Sequence, residues 1–515
     1  MSNLKFGWAS RDLSTDDPIV ITGQAHQRIS KGSHDPLTTT ALVLERDNKN
    51  VVVFVCMDNV GIGPNLVDEV REKTHALRSE IPGNAIMINA THAHTGACHY
   101  ENEILFHASK DPQDAMPVNF EYTNADDYRH WLSDIMAEMI AEAWDNRSEG
   151  GIAYGYGYAV VAHSRRVLYF DDVSTRPGAP KGNNTYAING HAVMYGNTND
   201  DNFAGYEAGA DHFMNVVYTF DKAGKLTGAI INVPCPCQCS EGEWYLSASY
   251  WHETRELIRK KYGNIFIMTQ CAAGGDLSPR ILHYKKAQDR RFALKYGDGE
   301  TISEDYMRRD IAERIAACFD EVLSWAKNDI RTDMELIHDV SDVKLERTKI
   351  SKEQYENCKA SLEELRATPF KEDGDVMQDM MFNTTLVANR RRVLAAIEMY
   401  EQEQNGITDT TMELHTIRLG DIAFATNCYE LYMDFQHRIQ ARSPFEQTFI
   451  IQLVGQPSTY RQLSNSYCDF YYYLCTERAL EAKGYSASIF CTRVSPKGGQ
   501  QLVDATVKQL KELYK

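Results

Sequence analysis

The first hundred residues alternate between continuous apolar runs and segments with helical periodicity. The run VVVFVCMD (51–58) is apolar without interruption, which is typical of a strand buried on both faces. Residues 65–81 carry apolar side chains near helical spacing, and the apolar run 85–90 predicts a second strand. A strand, a helix and a strand in this order predict a βαβ unit with parallel strands.

The same succession returns towards the C-terminus. The pattern predicts strands over 265–270, 419–427 and 448–455, and helices over 250–263, 303–326, 352–366, 386–404, 430–442 and 503–514. The fold class predicted is therefore α/β, with a mixed, mostly parallel sheet covered by helices. Because no stretch has the composition of a linker, residues 1–515 are interpreted as one domain with a helical excursion near 350–405.

Composition narrows the classes of partner. The net charge of −18 disfavours nucleic acid and anionic membrane surfaces. No segment approaches the ~20 consecutive apolar residues of a membrane span, and MSNLKFGWASRDL does not have the pattern of a signal peptide. Twelve cysteines in 515 residues are too sparse for a disulfide scaffold. We therefore expect a cytoplasmic protein that binds a small-molecule substrate, with its oligomeric state open.

Four predicted strands end in unusual polar loops. These loops are NATHAHTG (89–96), CAAGGDLSP (271–279), TNCYE (426–430) and GQPSTY (455–460). In open α/β sheets, ligands bind beyond the carboxyl ends of the strands. The sequence therefore predicts that the four loops converge on one site.

His92 and His94 are the first candidates for chemistry. Two residues apart on extended backbone, their side chains would point the same way and could bind one Zn²⁺ ion. The alternative is a hydrogen-bonded polar end of a strand. Glu430 precedes a predicted helix, so its carboxylate could either interact with the helix N-terminus or bind the same metal.

The other candidates also have two interpretations each. Ser278 could be a nucleophile or bond its own loop, and Arg165 could bind an oxyanion or form a surface salt bridge. The cysteines of VPCPCQC (233–239), Cys235 among them, could bind metal or be buried inert thiols. Tyr460 by itself is typical of a half-buried aromatic residue.

Taken in order, these motifs resemble those of the neutral/alkaline non-lysosomal ceramidases. The matching segments are HDPLTTTAL (34–42), VVVFVCMD (51–58), ATHAHTGA (90–97), SRR (164–166), GDLSPR (275–280) and NCYE (427–430). Each motif is modest by itself, and their shared order carries the resemblance. The chain looks like a divergent, short member without the family's C-terminal immunoglobulin-like domain.

The resemblance implies a zinc-dependent amidase with an α/β catalytic domain. Carried over by position, it makes His92, Glu430 and Tyr460 metal ligands, and it makes His94 a residue that either supports the metal ligands or stabilises the transition state. Arg165 matches an active-site arginine. Ser278 matches the family's proposed nucleophile.

Three departures from the family pattern bear on the metal. Counting back from LSASY (246–250) puts Cys235 in the place of the second zinc histidine. This implies either a thiolate ligand or a metal site that is altered or lost. Ser249 replaces the family's aspartate, and Arg280 replaces its asparagine.

The function predicted is that of a hydrolase that depends on zinc or another divalent metal, first of all an amidase acting on a small polar amide rather than on ceramide. A metal-bound water would supply hydroxide at neutral pH, while His94 and Arg165 would stabilise the oxyanion. One alternative is a hydrolase or lyase acting on a carbohydrate on the same scaffold. Another is a protein that binds a metal or ligand without catalysis.

Overall fold

The computed structural model describes residues 4–47, 49–100, 116, 120–180, 184–297, 304–372, 374–460, 463 and 472–515. The strands are β1 (Lys5–Asp12), β2 (Val20–Ile21), β3 (Arg28–Ile29), β4 (Thr38–Arg46), β5 (Asn50–Met57), β6 (Ile86–Ala90), β7 (Ser148–Tyr158), β8 (His163–Ser164), β9 (Arg166–Tyr169), β10 (Ala192–Met194), β11 (Phe203–Tyr206), β12 (Phe213–Asp221), β13 (Leu226–Val233), β14 (Phe266–Cys271), β15 (Leu277–Ser278), β16 (Leu336–Glu346), β17 (Asp409–Leu419), β18 (Ile422–Thr426), β19 (Glu430–Leu431), β20 (Gln447–Ile451) and β21 (Tyr473–Leu474).

The helices alternate with these strands along the chain. They are α1 (Pro64–Leu77), α2 (Ala125–Asp145), α3 (Tyr250–Tyr262), α4 (Lys285–Tyr296), α5 (Glu304–Ala326), α6 (Lys352–Ala367), α7 (Val376–Gln404), α8 (Met433–Gln440), α9 (Glu477–Ala482) and α10 (Pro496–Tyr514). No helix in the described ranges is both long and apolar enough to cross a membrane.

The largest sheet is mixed rather than mostly parallel. Within the described chain its strand order is β14-β13-β12-β7-β1-β4-β5-β6. In this sheet only the pairs β13–β14 and β5–β6 are parallel. Every pair between β13 and β5 in the strand order is antiparallel. The expectation of a mostly parallel sheet therefore needs correction. Strands such as β4 and β5 are joined by a tight turn, which requires antiparallel pairing.

The predicted βαβ unit is present as β5, α1 and β6. The two strands pair in parallel, with Val53 opposite Ile86, and α1 covers them with buried Leu66 and Val70. Pro64 opens the helix at a position where a missing N–H costs nothing. The polar loop that contains His92 and His94 follows β6 directly.

A second sheet, of order β16-β17-β18-β20, packs against the first. Aromatic side chains bridge the two: Phe54 of the large sheet lies 5.0 Å from Phe424, which stacks on Phe449 at 4.6 Å between ring centroids. A shared apolar layer of this kind is how two sheets exclude water from their facing sides. The packing fixes the ends of β6 and β18 relative to one another.

The helical excursion near 350–405 consists of α6 and α7, which pack together. The second helix begins at Val376, ten positions before the predicted start at residue 386. The Asp375 carboxylate explains this start, because it accepts hydrogen bonds from the Met377 and Gln378 amides and so caps the helix. The helix predicted from residue 430 begins instead at Met433.

Candidate active site

A cavity of about 360 Å³ opens where several loops meet. One wall is formed by polar residues that could act on a substrate: His92, His94, Arg165, Gln238, Glu241 and Glu430. The lining is also rich in tyrosine and includes Tyr186, Tyr195, Tyr472, Tyr473, Tyr485 and Arg392. The structure thus brings together four of the seven site residues predicted from the sequence, namely His92, His94, Arg165 and Glu430.

His92 and His94 come together through a turn and not through extended backbone. The strand β6 ends at Ala90, and His92 has a left-handed backbone with φ of 63°. The two rings meet edge to face at 4.7 Å, with 3.2 Å between their Nε2 atoms. A left-handed φ at a non-glycine residue is uncommon and tends to occur at functional sites.

Hydrogen bonds define the protonation of both imidazoles. His92 donates from Nδ1 to the Val60 carbonyl at 2.9 Å, which directs its Nε2 into the cavity. Gln238 Nε2 donates to His94 Nε2 at 2.9 Å, so the His94 proton lies on Nδ1, 3.4 Å from Glu241 Oε2. Burial, and after it the neighbouring His92 and the arginines Arg28 and Arg165, hold the pKa of His94 well below its usual value. His94 is therefore neutral.

Glu430 is a buried carboxylate between His92 and Arg165. Its Oε2 lies 3.4 Å from His92 Nε2 and 3.3 Å from Arg165 Nη2. Burial would raise the pKa of Glu430, but the charges of His92 and Arg165 outweigh it and the pKa is lowered. The group facing the N-terminus of α8 is instead Asp276, whose Oδ1 accepts from the Met433 amide at 3.0 Å.

Arg165 is buried, with 1% of its surface exposed, and is not in a surface salt bridge. Its Nη2 also donates to the Gly275 carbonyl at 2.8 Å and the Tyr473 hydroxyl at 3.1 Å. A Cβ on Gly275 would lie 2.3 Å from the Glu430 carbonyl oxygen, so only glycine permits this approach. The Nη2 group of Arg165 therefore holds Glu430 in place and does not face open space.

Residues that the sequence analysis did not single out complete the polar wall. Gln238 Oε1 accepts from the Tyr195 hydroxyl at 3.2 Å and faces Arg165 Nη1 at 3.5 Å. Glu241 forms an ion pair with Arg280, the arginine that replaces the asparagine of the family pattern. The pairing of β19 with β21 places Tyr473 directly opposite Glu430.

Three predicted site residues lie elsewhere. Ser278 is fully buried in β15, and its Oγ accepts from the Arg280 amide at 3.2 Å. Tyr460 donates its hydroxyl to Asp342 Oδ1 at 2.5 Å. Cys235 lies in the core, with Sγ 3.3 Å from the Val161 carbonyl. None of these three residues is among the described residues that line the cavity.

The described residues do not assemble the predicted zinc ligands. Only His92 and Glu430 of that set face each other, and no group of three His, Cys, Asp or Glu side chains in the described ranges is placed to hold a metal ion. Burial and neighbouring thiols raise the pKa of Cys235 well above its usual value, which favours the thiol over the metal-binding thiolate. The donor atoms here do not fit the group that the resemblance implies.

The comparisons with known proteins concern the fold. The chain is similar to neutral ceramidase from Pseudomonas aeruginosa, with a TM-score of 0.65 and 16% identity, over 99% of this chain and 75% of that one. A ceramidase complexed with C2 gives a TM-score of 0.64 and 16% identity, over 100% and 76% of the chains. No protein-family model and no curated protein sequence matches. At this identity the likeness shows a ceramidase-like α/β fold.

Proposed function

We propose that this protein is a hydrolase that cleaves an amide bond in a small polar molecule. The observation that carries the proposal is the pairing of His92 Nε2 with Glu430 Oε2 on the wall of a cavity. The fold supports it, because the chain shares that fold with proteins named for their action on ceramide, which is itself an amide.

His92 is the proton carrier in this proposal. The Val60 carbonyl holds the Nδ1 proton, so Nε2 is the nitrogen that can accept a proton from a water molecule. The ionised Glu430 lies 3.4 Å from the same nitrogen and stabilises the imidazolium that results. Arg165 keeps that carboxylate in position.

The proposed reaction adds water across the C–N bond. As the water oxygen bonds to the carbonyl carbon, one water proton passes to His92 Nε2 and the carbonyl becomes an oxyanion. The carbonyl then re-forms, the C–N bond breaks, and the imidazolium returns the proton to the departing nitrogen. The products are a carboxylic acid and an amine. Neutral His94 and Gln238 border this space and present hydrogen-bonding groups without adding charge.

The lining of the cavity argues for a small polar substrate. Its volume of about 360 Å³ is near the low end for ligand pockets. Several lining side chains, among them Gln24, Gln238 and Glu241, carry polar groups that could bind a polar substrate.

The tyrosine-rich lining favours one second candidate, a carbohydrate substrate. Tyr186 and Tyr485 stack with an interplanar angle of 19° at 5.7 Å, and Tyr473 meets Tyr485 edge to face at 5.9 Å. Faces of tyrosine rings pack well against sugar rings. Hydrolysis or elimination of a glycosidic bond would then replace amide hydrolysis in the same cavity.

Parallel assays of N-acyl amino acids and of simple glycosides distinguish the two. Under the first proposal, free amine appears from the N-acyl compounds and disappears in His92→Asn. Glycoside cleavage alone would replace the amidase proposal with the second. Binding of members of either panel, with no turnover of any, would identify a ligand-binding protein.

A further inference from the structure

The segment VPCPCQC contacts the histidine pair through Gln238, which hydrogen-bonds His94. The carboxamide of Gln238 donates to His94 Nε2 at 2.9 Å, whereas the Cys235 thiol lies 3.3 Å from the Val161 carbonyl in the core. A carboxamide offers zinc only a weak oxygen ligand, and that oxygen faces the donors of Tyr195 and Arg165. This segment therefore supplies hydrogen bonds at the place where a metal ligand would be expected.

The charge around Glu430 is already balanced. Its Oε2 lies near both His92 and the buried guanidinium of Arg165. Arg28, also fully buried, donates to the His94 carbonyl at 2.7 Å. A guanidinium has no lone pair for a metal and cannot lose its charge in proteins. Each of these cations disfavours a divalent ion in the same space, because like charges repel strongly at low dielectric.

We propose that the cavity works without a bound divalent metal and that Gln238 is the positioning residue that makes this possible. The Gln238 amide keeps the His94 proton on Nδ1 and turns the His94 Nε2 lone pair towards the amide N–H. Arg165 supplies beside Glu430 the positive charge that a metal would otherwise bring. The inference rests on the proposed hydrolase function, since it names how that reaction stabilises charge.

Zinc binding provides a test that does not depend on activity. The purified full-length protein is stripped with a chelator and titrated with Zn²⁺ in competition with a chromophoric zinc indicator. We expect no stoichiometric site in the wild type or in Cys235→Ala. Gln238→His puts an imidazole beside His92 and His94 and should gain about one zinc per chain. Gln404→His, at the exposed end of α7, is the matched control and should gain none.

The positioning role of Gln238 has its own spectroscopic readout. In ¹⁵N NMR of the imidazoles, His94 should show a protonated Nδ1 and a hydrogen-bonded, unprotonated Nε2. Gln238→Met, of similar size, should lose that single-tautomer signature while the protein stays folded. An unchanged tautomer in Gln238→Met would overturn the role assigned to Gln238.

Other outcomes separate the metal from the function. Stoichiometric zinc in the wild type, lost in His92→Asn or in Cys235→Ala, would overturn the metal-free assignment whatever the activity. Amide hydrolysis at an unchanged kcat after chelation supports both proposals. A wild type that binds no zinc and hydrolyses none of the N-acyl compounds retains the metal-free assignment and removes the proposed function.

Discussion

Two groups of the same residue types lie in different parts of this molecule. The cavity group is His92, His94, Glu430 and Arg165, and the sheet group is His338, His415, Glu413 and Arg71. In the sheet group, His338 Nε2 lies 3.0 Å from His415 Nδ1, His415 Nε2 2.9 Å from Glu413, and Glu413 2.6 Å from Arg71. The corresponding contacts in the cavity group are 3.2, 3.4 and 3.3 Å.

The difference lies in whether the group borders the cavity and in how short the contacts between its members are. The sheet group sits on neighbouring strands β16 and β17 and on α1, with each member bonded to the next at short distance. The cavity group sits on loops, includes the left-handed His92 and lines an open cavity. Two histidines, a glutamate and an arginine thus form a structural unit in one place and a candidate active site in the other. The surroundings of each group decide which of these two it forms.

Substituting one histidine in each group gives the sharpest test of this comparison. His92→Asn should lower kcat by about 10²–10⁴, because the proton carrier is lost while asparagine tolerates the left-handed backbone. His415→Asn should leave kcat of the folded protein unchanged. The measurements are steady-state kinetics on the amide identified above and urea denaturation. Equal effects of the two variants on kcat would remove the distinction.

Glu413→Gln should be the most destabilising single change in the sheet group. It leaves Arg71 and His415 without the carboxylate that lies between them, and breaking a buried ion pair costs about 3–5 kcal/mol. Urea denaturation measures the free energy of unfolding. Glu446→Gln, on an exposed carboxylate that accepts from Tyr154, is the control and should cost far less. A loss below ~1 kcal/mol for Glu413→Gln would mean that the pair is not structural.

Acid should weaken the fold through the sheet group. Burial lowers the pKa of His338 and His415 in the folded protein, so the unfolded chain binds protons first as the pH falls below 6.5. The free energy of unfolding therefore has its full value above pH 6.5. Below pH 6.5 it falls by about 1 kcal/mol per histidine for each pH unit. His338→Gln should flatten this dependence in urea denaturation series from pH 7 to 5. An unchanged slope would contradict the assignment.

The smallest effect is expected for Tyr460, which the resemblance placed among the metal ligands. Tyr460→Phe removes one hydrogen bond, to Asp342, and should cost about 1 kcal/mol of stability without changing kcat. The matched change is Tyr473→Phe, which removes the hydroxyl beside Arg165 and Glu430 and should lower kcat. A loss of activity in Tyr460→Phe with no loss in Tyr473→Phe would reverse their roles.

Much of the local structure was predictable from the sequence. The apolar runs and helical periodicity predicted β5, α1, β6, α3 and β14 within a few residues, because these signals are local. The polar loops at strand ends predicted that His92 and Glu430 lie close together, whereas Arg165 was assigned to the site by the family resemblance. The start of α7 was missed, although the capping Asp375 was visible in the sequence.

Only the tertiary structure decided strand direction and the partners of particular side chains. A buried apolar run reads the same whether its neighbour is parallel or antiparallel, so the mixed sheet could not be read from the pattern. Counting along the chain selected Cys235 and Tyr460. The residues that reach the cavity are Gln238, three positions past Cys235, and Tyr473, placed opposite Glu430 by the β19–β21 pairing. Periodicity reflects the nearest turn of chain, whereas a site depends on contacts between residues hundreds of positions apart.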